Sequence, residues 1–270
     1  MTGRDVEAGA GDEIGTATPF SDVAFAERAV YLSDADALVV ADLHVGRGEA
    51  SAVSLPLGER ADLVDRLGRL LDRFDPATVV VAGDVVHTFD HVSDRAREAL
   101  DALRDRCEAH GAALELVAGN HDAALADAWD GAIREELVLG RSGDRGADVG
   151  DAHRTVVCHG HEAPSTAADR YVIGHVHPTI EIEGDRRPCV LRGEGTYRGA
   201  DLLVLPAFTR LASGVAVNGM GTAAFDSPLV TDADRLAPVV VDVPPDGADG
   251  GSEGGEPLRF PPLGEFRELL

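Results

Sequence analysis

Apolar residues along this chain come in short runs that stop abruptly at polar, hydrogen-bonding residues. "RAVYLSDADALVVADLH" (28–44) reads as strand, tight turn, strand, with "SDAD" making the turn. In "LGERADLVDRLGRLLDRF" (57–74), Leu63, Leu67, Leu70, Leu71 and Phe74 recur at helical spacing. "ATVVVAGD" (77–84) is apolar throughout, as expected of a strand buried on both faces. A helix follows in "SDRAREALDALRDRCEAHG" (93–111), with Ser93 as candidate N-cap and Gly111 as its stop. "ALELVAGN" (113–120) is the next strand. Beyond it helices thin out, and "RTVVCHG", "RYVIGHV", "TIEIEG", "CVLRGEG", "DLLVLP", "GVAVNG" and "APVVVDV" are short strands between turn signals. A β-α-β first half and a strand-rich second half predict an α+β (α/β-like) protein of mixed sheets with helices outside. No internal repeat is visible.

Two segments read as unstructured on composition: an acidic tail over 1–17, and a flexible acidic linker with the C-terminal segment over 244–270, which contains "PPDGADGGSEGGEP". Between them lies a single expected domain, 18–243.

The five main strands end alike. "LVVADLH" brings Asp42 and His44; "VVVAGDVVH" brings Asp84 and His87; "LELVAGNHD" brings Asn120, His121 and Asp122. "TVVCHGH" brings His159 and His161, and "YVIGHVH" brings His175 and His177. Seven of the 10 histidines fall in these five places. The carboxyl ends of strands in an open sheet are where ligands bind, and carboxylate, imidazole and carboxamide together are metal-ligand chemistry. Singly, each motif reads as well as a turn or a cap: "GD" as a tight turn, "GNHD" as an Asn in the left-handed region, His175 and His177 as a solvated polar turn. Jointly, five such accidents in order are a poor explanation. His91, His110 and His153 read as ordinary surface residues.

Composition changes the picture in two ways. Acidic residues number 48 against 24 basic ones, a net charge of −24, and every basic residue is Arg. A surface so acidic suits a salt-rich cytoplasm that screens self-repulsion, and so a halophilic host. It also argues, weakly, against a basic nucleic-acid footprint. The three cysteines form no CxxC pair, which fits a reducing cytoplasm rather than a disulfide framework. No apolar run approaches the roughly 18 residues of a membrane span, and the first fifteen residues have no apolar core of a signal peptide.

In order, "DLH", "GDVVH", "GNHD", "HGH" and "GHVH" resemble the signature of the calcineurin-like metallophosphoesterases, over about residues 28–217. "ERAVYLSDADALVVADLHVGRGEA", "SLPLGE" and "GHVHPTI…LPAF" resemble, within that superfamily, the Icc-like phosphoesterase group, which includes ligase-associated DNA-damage-response endonucleases. The resemblance implies a four-layer αββα sandwich of two mixed sheets. It also implies two divalent ions that turn a bridging water into the attacking hydroxide. By the same carry-over, Asp84 bridges the ions, Asp42, His44 and His177 complete one shell, and Asn120, His159 and His175 the other. Mixed N/O ligation without thiolate suits Mn²⁺, with Fe or Zn²⁺ as alternatives. His121 becomes the general acid, with Asp122 holding it protonated. Arg47, His87 and His161 are further candidates for contacting substrate phosphate or orienting ligands.

The expected function is therefore phosphoester, and more narrowly phosphodiester, hydrolysis in the cytoplasm. The alternatives are a DNA or RNA nuclease and a metal-bound scaffold without catalysis. The loops "EASAVSLP", "VVHTFDHVSD" and "EAPSTAAD", where specificity would reside, carry no readable code.

Overall fold

A computed structural model describes residues 20–50, 58–140, 153–241 and 256–268. The expected acidic tail over 1–17 and the linker to residue 255 lie outside the described residues. The first half contains β1 (Val23–Ala26), β2 (Ala29–Leu32), β3 (Ala37–Val40), α1 (Arg47–Ala50), α2 (Glu59–Phe74), β4 (Thr78–Ala82), α3 (Asp94–Ala109), β5 (Ala113–Val117) and β6 (Ile133–Arg134). The second half contains β7 (Glu136–Leu139), β8 (Thr155–Cys158), β9 (Arg170–Ile173), β10 (Pro178–Ile182), β11 (Asp185–Tyr197), β12 (Ala200–Val204), β13 (Val215–Ala216), β14 (Ala237–Val240), β15 (Leu258–Arg259) and α4 (Leu263–Glu268).

Two mixed sheets result. The first runs β1-β2-β3-β4-β5-β6, antiparallel through β3 and parallel from β3 onward. The second has nine strands, with β13-β10-β11-β12-β9-β8-β7 in order and β14 and β15 branching from β11. Their facing sides form a shared apolar layer that includes Val39, Val80 and Val117 of one sheet and Val157, Val172 and Leu203 of the other. The outer side of the first sheet is covered by α2 and α3, through Leu63, Leu67, Leu70, Leu100 and Leu103. This is why the central strands are buried on both faces and read as continuous apolar runs.

Local signals account for the helix ends. Ser93 accepts from the Ala96 amide as N-cap of α3, and Gly111 at φ +75° ends the turn that follows it. The expected αββα layering holds, with a thin fourth layer: among the described residues, α4 and short 3-10 turns cover the second sheet. The domain also runs past the expected limit of 243. β15 pairs with β14, and Leu263 and Phe266 enter the core beneath α4. An apolar pair shortly beyond a Gly-rich stretch is too short a pattern to read as a packed element.

Candidate metal centre

All five polar motifs lie at one edge, where β3, β4, β5, β8 and β9 end. The loops after β3 and β4 prolong the strand ladder: Asp42 N–H donates to Gly83 O, His44 N–H to Asp84 O and His87 N–H to Val45 O. Five site residues have left-handed backbones: Asp42 (φ 54°), His44 (45°), Asp84 (45°), His175 (65°) and His177 (50°). Such conformations cost of order 1–3 kcal/mol each and persist where the surroundings over-determine them. His175 and His177 therefore lie in a tight loop past β9 rather than on an extended strand.

The glycines of "GD", "GN" and "GH" have a steric reason. A Cβ at Gly83 would sit 2.2 Å from the His159 ring, one at Gly119 2.2 Å from an Asp84 carboxylate oxygen, and one at Gly174 2.5 Å from Asp42. Each motif's backbone presses against the site residue of another motif.

The seven candidate ligands converge in two overlapping groups. In the first, His177 Nε2 lies 3.2 Å from Asp42 Oδ1 and 3.4 Å from His44 Nε2, and His44 Nε2 lies 3.7 Å from Asp84 Oδ2. In the second, His159 Nε2 lies 3.0 Å from Asn120 Oδ1, 3.2 Å from His175 Nδ1 and 3.4 Å from Asp84 Oδ1. Asp84 thus gives one oxygen to each group. His159 Nδ1 also faces the Ala82 carbonyl (3.2 Å) and Asp42 (3.6 Å).

These residues fit divalent ions. With metal–ligand bonds near 2.1 Å, neighbouring donors of one ion stand roughly 3.0–3.4 Å apart; every separation in the second group falls in that range, as do those in the first apart from His44–Asp84 at 3.7 Å. Ring nitrogens that face one another need a cation or a shared proton between them. Burial, with the His177 and His121 rings, pushes His44 down to about 2, and burial pushes His159 down to about 4. Both rings are thus held neutral, the form that binds metal. His177 behaves oppositely: burial would lower it, but its hydrogen bond to Asp42 raises it overall.

The remaining candidates are distributed around this centre. His121 is partly exposed; its Nδ1 lies 3.2 Å from the His87 carbonyl and its Nε2 3.9 Å from Asp84. Asp122 does not hold that ring, contrary to expectation. Its oxygens accept from the Val85 (3.1 Å), Val86 (3.0 Å) and Gly119 (2.7 Å) amides, tying the β4 loop to the β5 loop. Burial pushes its carboxyl up to about 6 despite those amides. The His87 ring stands 5.7 Å from that of His44, and ring nitrogens of His44, His87 and His121 lie within 4.8 Å of one another, a grouping the motifs did not announce. His161 is exposed, its ring 5.2 Å from His159. Arg47 opens α1, and its charge helps depress both His44 and His87, second to burial for His87. Sequence reasoning missed Asp226, whose carboxylate lies 3.9 Å from His175, and Ser227, which donates to the Gly160 carbonyl. Neither sits in a motif, so only tertiary folding reveals them.

A family model described as calcineurin-like phosphoesterase matches residues 36–204. Among solved structures the chain is similar to the nuclease MPE of Pseudomonas putida, at 24% identity over 79% of this chain and 88% of that one, with a TM-score of 0.52. It is similar also to Yfce, a phosphoesterase from E. coli, at 16% identity over 68% and 84% of the two chains, with a TM-score of 0.39. No curated protein matches the sequence.

Proposed function

The chain belongs to the calcineurin-like phosphoesterase family, and from that premise we propose that it hydrolyses phosphodiesters with two divalent ions, Mn²⁺ in the first instance. The family match makes it a metal-dependent phosphoesterase. The observation that carries the two-ion reading is the position of Asp84, with one oxygen 3.7 Å from His44 and the other 3.4 Å from His159. Asp42, His44 and His177 would hold one ion and Asn120, His159 and His175 the other. Bound there, the ions would supply activated water and neutralise phosphoryl charge.

The protein's own groups supply the rest. His121 donates Nδ1–H to the His87 carbonyl, which fixes the ring and leaves Nε2 free to carry a second proton. That proton goes to the departing oxygen as the phosphorus–oxygen bond breaks. Asp122 acts indirectly, by holding the two loops that present Asp84 and Asn120. Arg47 supplies positive charge beside the first group, and His161 stands at the mouth of the second. The finer placement, in the Icc-like group of a halophilic cytoplasm, rests on the motif strings and the acidic composition. Among the described residues, no helix is long and apolar enough to cross a membrane, and Cys107, Cys158 and Cys189 are buried and unpaired.

The test is a substrate panel in high salt with Mn²⁺: bis-p-nitrophenyl phosphate, p-nitrophenyl phosphate, 2′,3′-cyclic nucleotides, and single- and double-stranded DNA. Diester hydrolysis that disappears with chelator and returns with metal is expected. Turnover of the monoester alone would overturn the diester reading. Cleavage of DNA alone would replace it with the nuclease reading. Inactivity toward all, with two metals bound, would leave the scaffold.

A further inference from the structure

Phe89 stands out beside this centre. Among the described residues it is the one exposed Phe, Tyr or Trp, at 53% exposure, while Phe20, Phe25, Phe208 and Trp129 are buried. A single exposed apolar side chain is ordinary on a protein surface, so exposure alone says nothing. Its position does. The Phe89 ring stacks on the His121 ring, with centroids 4.1 Å apart and planes 30° apart.

The segment carrying Phe89 is anchored at both ends. His87 N–H donates to Val45 O, the His87 carbonyl faces His121, and the Thr88 hydroxyl donates to the His91 carbonyl. Ser93, the cap of α3, donates to Glu49. One face of the phenyl ring therefore lies on the imidazole, and more than half of its surface remains open. Whatever covers that surface lies next to the oxygen that His121 would protonate.

We propose that Phe89 is the platform for the leaving-group side of the substrate, and that the protein selects phosphodiesters with a flat ring there, an aryl group or a nucleobase. This rests on the diester reading above. A ring placed on Phe89 would continue the stack imidazole–phenyl–ligand. Stacking tolerates any flat π-face and needs no basic groove, which agrees with a chain that has an excess of acid.

Two dinucleotide phosphodiesters decide the matter, identical except that the leaving-side sugar carries thymine in one and no base in the other. The departing oxygen is the same alkoxide in both, so only the platform distinguishes them. The Mn²⁺-loaded protein should prefer the base-bearing substrate by about 5- to 150-fold in kcat/KM, the span of base–aromatic stacking. Phe89→Leu should abolish that preference, chiefly through KM, and Phe89→Trp should restore it, at equal metal content by elemental analysis. Equal kcat/KM for the two substrates in the unmutated protein overturns the platform, as does an equal loss on both in Phe89→Leu. The second result would make Phe89 a positioning residue for His121. If neither dinucleotide is cleaved but bis-p-nitrophenyl phosphate is, an unchanged KM for that aryl diester in Phe89→Leu overturns the platform and leaves the diester reading standing. Failure on every diester removes both.

Discussion

Behind the strand ends, Leu63, Leu67, Leu70 and Leu71 of α2 pack with Leu100 and Leu103 of α3 onto the first sheet, all buried. At the strand ends, two buried carboxylates and several imidazoles crowd together on left-handed backbones. The same strands supply both regions: Val79 and Val81 of β4 face the helices, and Asp84 follows three residues later. The packed layers gain from burial, roughly 25 cal/mol per Å² of apolar surface. The site instead carries left-handed backbones and buried carboxylates. The contrast teaches that stability and activity should separate under mutation, because they are built in different places on shared strands.

The largest expected effect tests the site side. Asp84→Asn should weaken both ions and cut activity by about 10³-fold or more, since metal ions contribute several kcal/mol to such a transition state. The melting temperature of the metal-free protein should stay the same or rise, because a buried charge has been removed. Elemental analysis and calorimetry check both halves. Two full equivalents of metal in the variant would contradict the shared role of Asp84.

Next comes His121→Ala. A general acid contributes typically 10²–10⁴-fold where the leaving group needs a proton. Loss of that order is expected on a nucleoside ester and much less on a p-nitrophenyl ester, at unchanged metal content. Equal losses on both esters would remove the general-acid role.

What could be read in advance divides along the same line. The strand ends were legible because a metal site concentrates rare residue types in short motifs, and the helices because Leu63, Leu67 and Leu70 repeat on one face. Adjacency in sequence does not place Asp122 against the His121 ring. Asp122 opens a 3-10 turn with His121 as its cap, and successive residues on a helical turn do not face each other. Phe89 lies in a loop without pattern, since the loop's position above the site is set by anchors such as Val45 and Glu49, far away in sequence. Asp226 and the α4 segment are hidden for the same reason: their neighbours, His175 for the one and Asp234 and Leu236 for the other, lie tens of residues away along the chain.

On the packing side, Leu70→Ala should destabilise by about 2–5 kcal/mol, the usual range for a buried leucine, with kcat preserved in the folded fraction. Denaturant unfolding and activity at low temperature measure the two. A large fall in kcat without loss of stability would show that the helix layer tunes the site directly.

The smallest effect concerns the seam between the sheets. Arg170, at the start of β9, reaches Asp22, just before β1, through two contacts of 2.5 and 2.9 Å. Burial works to raise the Asp22 carboxyl, but the Arg170 hydrogen bond and charge outweigh it, and the net shift is downward from 3.8. A carboxyl lowered on folding contributes stability that is present above its unfolded value and lost as pH falls through its folded value. Asp22→Asn should therefore be less stable than the unmutated protein near pH 6, by about 1 kcal/mol at most because Asp22 is partly solvated. The gap should close as pH falls below about 4, the unfolded carboxylate range. Unfolding of both proteins by denaturant across that range is the measurement. A gap that does not change with pH would mean that Asp22 acts by shape and hydrogen bonding alone, and the seam would then owe nothing to charge.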